Sequence, residues 1–258
     1  MLRLLAAAIM ALVAVIGYCG NRETNPVTGE QQRVALSAEQ EVALGAKAAP
    51  ELAREYGGLE SDPPAQAAVD RIGERIVSRT EAGSTPYRFE FHVLADERTL
   101  NAFALPGGQV FITAGLLRRL GAEPQLAAVL AHEIAHVVAR HGAEQLAKQE
   151  LVQGLAGATQ IATYDPTSPG SAASGAIAAA IGQLVTMRFS REDEIESDAL
   201  GARLMADARY EPAAMLEVLR VLEETGGGVP EFFSTHPSPD DRRARLEEAI
   251  RAMDGGGR

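Results

Sequence analysis

The 258-residue sequence is short of the groups on which several chemistries depend. It has one cysteine, so an intrachain disulfide, a redox pair and a Cys-based metal cluster are all excluded. It has no tryptophan and only 5% aromatic residues, which argues against a base-stacking platform. Basic residues are outnumbered, 24 Lys+Arg against 35 Asp+Glu, for a net charge of -11. That balance disfavours nucleic acid as a partner, because phosphate binding needs clustered positive charge. Five histidines are all the chain has, so any grouping of them is informative. What remains, 46% hydrophobic and 23% charged residues, is ordinary globular composition for one large domain.

The first residues read as an export signal: Arg3, then the apolar run Leu4–Tyr18, then Cys19. The run is short for a membrane span of about 20 residues. Ile16-Gly17-Tyr18-Cys19 resembles a bacterial lipobox, in which the cysteine is lipidated and becomes the mature N-terminus. Tyr18 departs from the small residue usual before that cysteine, and the alternatives are an uncleaved anchor or a conventional signal. Each reading puts the body of the protein outside the cytoplasm. Residues 1–18 are thus expected to be a signal peptide, and 19–36, polar and turn-rich, a lipidated N-terminus and tether. A single domain is expected over 37–253.

Within that domain Ser37 and Gln40 form a capping-box pattern opening a helix to about Tyr56, and a second helix spans about Pro64–Arg79. Alternation in Arg88–Ala95 predicts a strand, with two more at Asn101–Leu105 and Gln109–Ala114 around Pro106-Gly107-Gly108. From Glu123 the pattern is helical to the end, the first helix running to about His141. Residues 143–188 read as two weakly polar helices joined by a loop at Tyr164–Gly170. The fold class is therefore α+β and mostly helical.

His132-Glu133-Ile134-Ala135-His136 is the most informative stretch. Residues i and i+4 share a helix face, so the two imidazoles can address one ion, with Glu133 beside them to act on a water. Catalytic zinc takes three protein ligands and one open position. A third histidine of the metzincin type would need glycine at 139 and histidine at 142, where the chain has Ala139 and Gly142. The alternative is a carboxylate from Glu192, Asp193, Glu194, Glu196 or Asp198 on a later helix; Glu194 and Asp198 are one turn apart, so one can bind while the other holds a ligating imidazole.

With these stretches, Asn101–Gly108, Phe189–Gly201 and Thr235-His236-Pro237, the chain resembles metallopeptidase family forty-eight, a group of gluzincins, over about residues 25–250. Asn25–Gly29 is similar to its exported lipoprotein members. The resemblance implies a zincin-like fold with a small edge sheet packed on the active-site helix. It implies one Zn2+ per chain on His132, His136 and Glu194, with Glu133 as catalytic base and Asp198 behind a ligand. Ser197 stands where that family usually has alanine. His236 is a possible fourth ligand or oxyanion stabiliser, and Arg242 either a possible substrate anchor or merely the start of a helix; His92 and His141 are read as structural. The strand after Gly107-Gly108, through Gln109, Val110 and Phe111, is expected to be a sheet edge on which an extended peptide lies.

The expected function is a zinc endopeptidase acting on misfolded or misassembled envelope proteins. The alternative is a periplasmic chaperone or assembly factor that uses the same fold for client binding. Expected partners are unfolded polypeptides, the membrane through the N-terminal lipid, and possible envelope assembly machinery. The expected location is the bacterial envelope, facing the periplasm, with the outer membrane weakly preferred because Gly20 is not aspartate.

Overall fold

The computed structural model describes residues 2–163, 188–224, 231–237 and 241–255. In chain order these form α1 (Leu2–Gly20), β1 (Arg22–Thr24), β2 (Gln31–Arg33), α2 (Ala38–Glu55) and α3 (Pro63–Arg79). Then come β3 (Glu90–Leu94), β4 (Ala102–Leu105), β5 (Gln109–Thr113), α4 (Ala114–Leu117), α5 (Glu123–Val138) and α6 (His141–Thr163). The remaining described elements are α7 (Arg191–Asp207), α8 (Ala214–Glu223), α9 (Phe232–Thr235) and α10 (Arg242–Gly255). The expected loop at Tyr164–Gly170 and the helix after it lie outside the described residues.

The capping box at Ser37 forms as its sequence requires: the hydroxyl accepts from the Gln40 amide, and the Gln40 side chain accepts from the Ser37 amide. Asp62 caps α3, and Pro63-Pro64 occupy its first turn, where a missing N–H costs nothing.

The three-stranded sheet has the order β3-β5-β4, with β5 parallel to β3 and antiparallel to β4. Every residue of β5 is buried, and its alternation feeds two cores. Val110 and Ile112 join the cluster built around α5, with Ile72 and Ile76 of α3, Leu204 of α7 and Leu222 of α8. Phe111 points the other way, into a second cluster with Leu52 of α2, Leu105 and Phe189. The sheet is thus a thin layer between α2 and the α3/α5 pair. Helix α5 is the hub of the larger cluster, and Leu130 and Ile134 are fully buried there. Truncating either to alanine would remove about 2–5 kcal/mol.

Two expectations change here. The strand Gln109–Thr113 is central rather than an edge, so it has no free ladder to offer a peptide. Gly107 and Gly108, at φ 87° and 111°, make the buried turn between β4 and β5, pressed against α2 and Arg88. With Gln109, Val110 and Phe111 also buried, none of these five residues is placed to meet a substrate. The strand at the end of the ladder beside α5 is β4, where Phe103 and Ala104 are half-buried.

The segment expected to be a tether is instead part of the body. β1 and β2 form a hairpin, and the turn between them carries Asn25, which is 1% exposed. Asn25 Oδ1 accepts from the amides of Val27 and Thr28, while Nδ2 donates to Gln32 Oε1 and to the Val138 carbonyl at the end of α5. Before that hairpin, α1 packs along α6, with Ala14 against Gly154 and Met10 against Gly157. By length and apolar composition α1 is able to cross a membrane.

Candidate metal centre

Helix α5 stops at Val138 because the chain turns left-handed at Arg140, φ 60°. That conformation disfavours a side chain with a Cβ, so something must hold it. The Arg140 guanidinium donates to Glu41 at 2.9 and 2.6 Å, to Glu23 at 2.8 Å and to the Leu36 carbonyl at 2.8 Å. Gln32 donates to the Ala139 carbonyl beside it. Carbonyls left over at the helix end are thereby satisfied by side chains of the N-terminal hairpin.

Helix α7 crosses α5 closely at Gly201, where an added Cβ would sit 3.3 Å from the Ala131 backbone and the His132 nitrogen. Its start is fixed by a capping box between Ser190 and Asp193. Glu194, Ser197 and Asp198, at i, i+3 and i+4, are then presented to α5, and all three are buried.

The donor atoms converge. His132 Nε2 and His136 Nε2 are 3.1 Å apart. Glu194 places Oε2 3.5 Å from the first and Oε1 3.4 Å from the second. His236 Nδ1 lies 3.0 Å from Glu194 Oε1 and 3.4 Å from His132 Nε2. All four residues are buried and their ligand atoms lie within 4.8 Å of one another. Zinc bonds of about 2.0–2.1 Å in a tetrahedron put ligand atoms roughly 3.3 Å apart, so the set fits a zinc-sized ion. The chemistry agrees, since two imidazole nitrogens facing each other in a dry site need a cation or proton between them. Neither carboxylate oxygen of Glu133 has a hydrogen-bond partner, nor does Nε2 of His236, while Glu194 Oε2 is met by the Arg242 guanidinium at 2.9 Å.

Electrostatics sort these groups. Burial holds the His136 imidazole well below its ordinary pKa, leaving the neutral form that binds metals. Burial pushes Glu194 up, but His236 and the hydrogen bonds from His132 and His136 hold it well below the carboxylate range. Burial would lower His132; hydrogen bonds to Asp198 and Glu194 overcome it and raise the ring to about 9. Glu133 is pushed upward, chiefly by burial.

Asp198 Oδ1 lies 3.0 Å from His132 Nδ1, on the far side of the ring from the converging nitrogens. Arg242, read as either a substrate anchor or the start of a helix, opens α10. It is 2% exposed and grips Asp198 with two hydrogen bonds of 2.6 and 2.8 Å, with a further ion-pair contact to Glu194 at 2.9 Å. No face of it is left for a substrate carbonyl; it neutralises the two carboxylates and aims them. His236, just before Pro237, brings Nδ1 beside the converging donors. Its ring stacks on Phe232 at 4.4 Å and 13°, and Phe189 stacks on His136 at 4.0 Å.

Sequence reasoning missed three contributors. Phe189 opens one of the stretches that carry the family resemblance but had no role read for it, and Phe232 carried no signal beyond being aromatic near a motif. His141, read as structural, has Nδ1 3.0 Å from His136 Nδ1. His92 keeps its structural role, with Nε2 2.8 Å from Gln109 Oε1.

Comparison with known proteins agrees with this geometry. Residues 63–250 match the profile of peptidase family M48, and the chain belongs to that family. It is 35% identical over 246 residues to the mitochondrial metalloendopeptidase OMA1 of Schizosaccharomyces pombe, covering 92% of this chain and 70% of that one. It is 31% identical over 258 residues to the beta-barrel assembly-enhancing protease of Escherichia coli strain K12, covering 97% and 52%. The protein of that name from Yersinia pestis is 30% identical over 247 residues, covering 93% and 50%. The chain thus spans about half the length of the beta-barrel assembly-enhancing proteases it matches.

Proposed function

We propose that this chain is a zinc-dependent endopeptidase that cleaves misfolded or misassembled proteins of a bacterial cell envelope, with one zinc ion held by His132, His136 and Glu194. The observation that carries the reading is Glu133: fully buried, beside the converging donors, with both carboxylate oxygens unpaired. A structural metal site has no use for such a group. Zinc, when bound, supplies a Lewis acid for a peptide carbonyl and lowers the pKa of water to about 7. Glu133 takes the proton of the attacking water and delivers it to the leaving amine, work suited to a carboxyl whose pKa burial has raised. Asp198 and Arg242 hold His132 and Glu194 in place throughout.

His236 Nδ1 lies 3.4 Å from His132 Nε2 and 3.0 Å from Glu194 Oε1 and would be a fourth donor to a bound zinc, whereas a catalytic zinc keeps one position for water or substrate. In the endopeptidase reading that position would go to water and substrate, and His236 Nε2, 3.8 Å from Glu133 Oε1, would be placed to donate to a developing oxyanion. Substrate is expected along the outer edge of β4, beside α5, where backbone pairing accepts many sequences. The envelope setting rests on the apolar N-terminal helix with Cys19 at its end, and on the name of the beta-barrel assembly-enhancing relatives.

The closed four-donor arrangement also favours a second reading, a client-binding assembly factor whose metal is structural. Casein digestion by the purified chain, with and without a chelator, separates the two. The endopeptidase digests casein and stops when zinc is removed; a folded, zinc-loaded chain that leaves casein intact supports the binding factor.

A further inference from the structure

His132 and His136 are held from behind in different ways. His132 Nδ1 meets a carboxylate directly, Asp198 at 3.0 Å. His136 Nδ1 meets another imidazole, His141 Nδ1, at 3.0 Å, and His141 Nε2 in turn lies 3.2 Å from Glu196 Oε2. His141 is 1% exposed. Ser197, the departure from the family pattern, brings its Oγ within 3.2 Å of the same His141 Nδ1.

We propose that His141 is a positioning residue for the metal-binding nitrogen of His136, and that Glu196 sets the tautomer of His141. The inference rests on reading His136 as a ligand through Nε2. A neutral imidazole that binds metal through Nε2 carries its proton on Nδ1, so His136 donates there and His141 Nδ1 accepts. The His141 proton then sits on Nε2, where it is donated to Glu196. One carboxylate, acting through an imidazole, fixes both rings. The Ser197 hydroxyl reaches the same nitrogen, whose single lone pair His136 takes in this arrangement, so it is a competing partner there and leaves the tautomer to Glu196.

The fold supplies this arrangement through the left-handed turn at Arg140, which ends α5 and swings the first residue of α6 back beside His136. The same crossing of α7 that presents Glu194 to the metal nitrogens presents Glu196 and Ser197 to His141. Groups that orient a ligating histidine are typically worth about 10- to 100-fold in metal affinity.

The test is zinc affinity of the full chain by competition with a chromophoric chelator, together with the melting temperature of the zinc-free protein. His141→Phe keeps a flat ring and removes the acceptor; about 10- to 100-fold weaker zinc binding is expected, with a modest drop in zinc-free melting because the buried His136 Nδ1–H loses its partner. His141→Asn puts an amide oxygen near the position of Nδ1 and should recover most of that affinity. Glu196 is one-quarter exposed, so Glu196→Gln tests the outer link even where His141→Phe fails to fold, and a smaller loss is expected. Wild-type affinity in either His141→Phe or Glu196→Gln overturns the proposal. So does an Asn variant as weak as the Phe variant, or zinc affinity across the Phe, Asn and Glu196→Gln variants that follows zinc-free melting alone, which marks a core residue. If the wild type binds no zinc, the metal site falls along with it. If wild type binds and His136→Ala does not, while His141 variants match wild type, only the present inference falls.

Discussion

Two buried polar networks meet on helix α5, and they differ in how completely they are paired. At its C-terminal end, the Asn25 amide uses its oxygen for two backbone N–H groups and its nitrogen for two acceptors. Gln32 accepts from Asn25 and donates to Ala139, and Arg140 spreads four contacts over Glu23, Glu41 and Leu36. On the metal face, neither oxygen of Glu133 nor Nε2 of His236 has a hydrogen-bond partner, while Glu194 Oε2 is met by the Arg242 guanidinium at 2.9 Å. An unpaired buried polar atom costs about 1–3 kcal/mol, so a cluster of them persists only where something else completes it. Near-complete pairing, with Glu41 Oε2 the atom of that group left without a hydrogen-bond partner, marks the part of the helix that is scaffold; the less completed face is the part that would take metal, water and substrate.

Glu133→Gln strains this comparison most. It keeps the size and helix propensity of the side chain and removes only proton acceptance. Loss of a general base costs about 10²- to 10⁴-fold in rate, so casein cleavage should nearly vanish while zinc content and melting temperature hold. Wild-type cleavage by the zinc-loaded variant would remove Glu133 from the chemistry.

The carboxylates of α7 come next. Glu194→Gln should lose most of the bound zinc, while Glu192→Gln, on the exposed face of the same helix, keeps it. Asp198→Asn keeps the ligands and weakens the hold on His132, so affinity should drop by about 10- to 100-fold. Elemental analysis after dialysis reads the first pair and chelator competition reads the last. Equal zinc in Glu194→Gln and Glu192→Gln would mean that the third ligand lies elsewhere.

How much of this was legible depends on whether the signal was local. His132, Glu133 and His136 are related by one helical turn, and Glu194 and Asp198 by another, so periodicity alone sets each group on one face. The order of strands is not local: Gln109–Thr113 and Ala102–Leu105 both read as short apolar strands, and only the tertiary pairing decides that β5 lies inside and β4 outside. Asn25 and Gln32 misled for the opposite reason. In sequence they look like turn and linker residues, yet their partners, the carbonyls of Val138 and Ala139, are more than a hundred residues away. Arg140 carried no mark of its left-handed backbone, since glycine is the usual occupant and the ion pairs that hold the conformation come from distant segments.

Asn25→Ala tests the paired side of the comparison. It leaves the Val138 carbonyl and Gln32 Oε1 without a buried donor, so unfolding free energy should drop by about 1–3 kcal/mol in a denaturant titration. Zinc affinity should stay near wild type, because no hydrogen bond of Asn25 reaches the metal face. A variant that lost zinc without losing stability would show that cap and metal face are one network.

The smallest effect on catalysis is expected from Cys19→Ala, and it bears on where the protein sits rather than on what it does. Cys19 is exposed near the end of α1, a helix whose apolar side chains Leu4, Leu5, Ile9, Leu12 and Ile16 stand in the open. If Cys19 carries a lipid, labelled fatty acid enters the wild type, and the alanine variant loses both the label and membrane retention. Casein turnover per folded molecule should be unchanged in detergent, because α1 contributes no side chain to the metal face. Retention of the unlabelled alanine variant in the membrane pellet would mean instead that α1 stays attached as an anchor. The packing of Ala14 on Gly154 and of Met10 on Gly157 would then be a permanent contact between anchor and body.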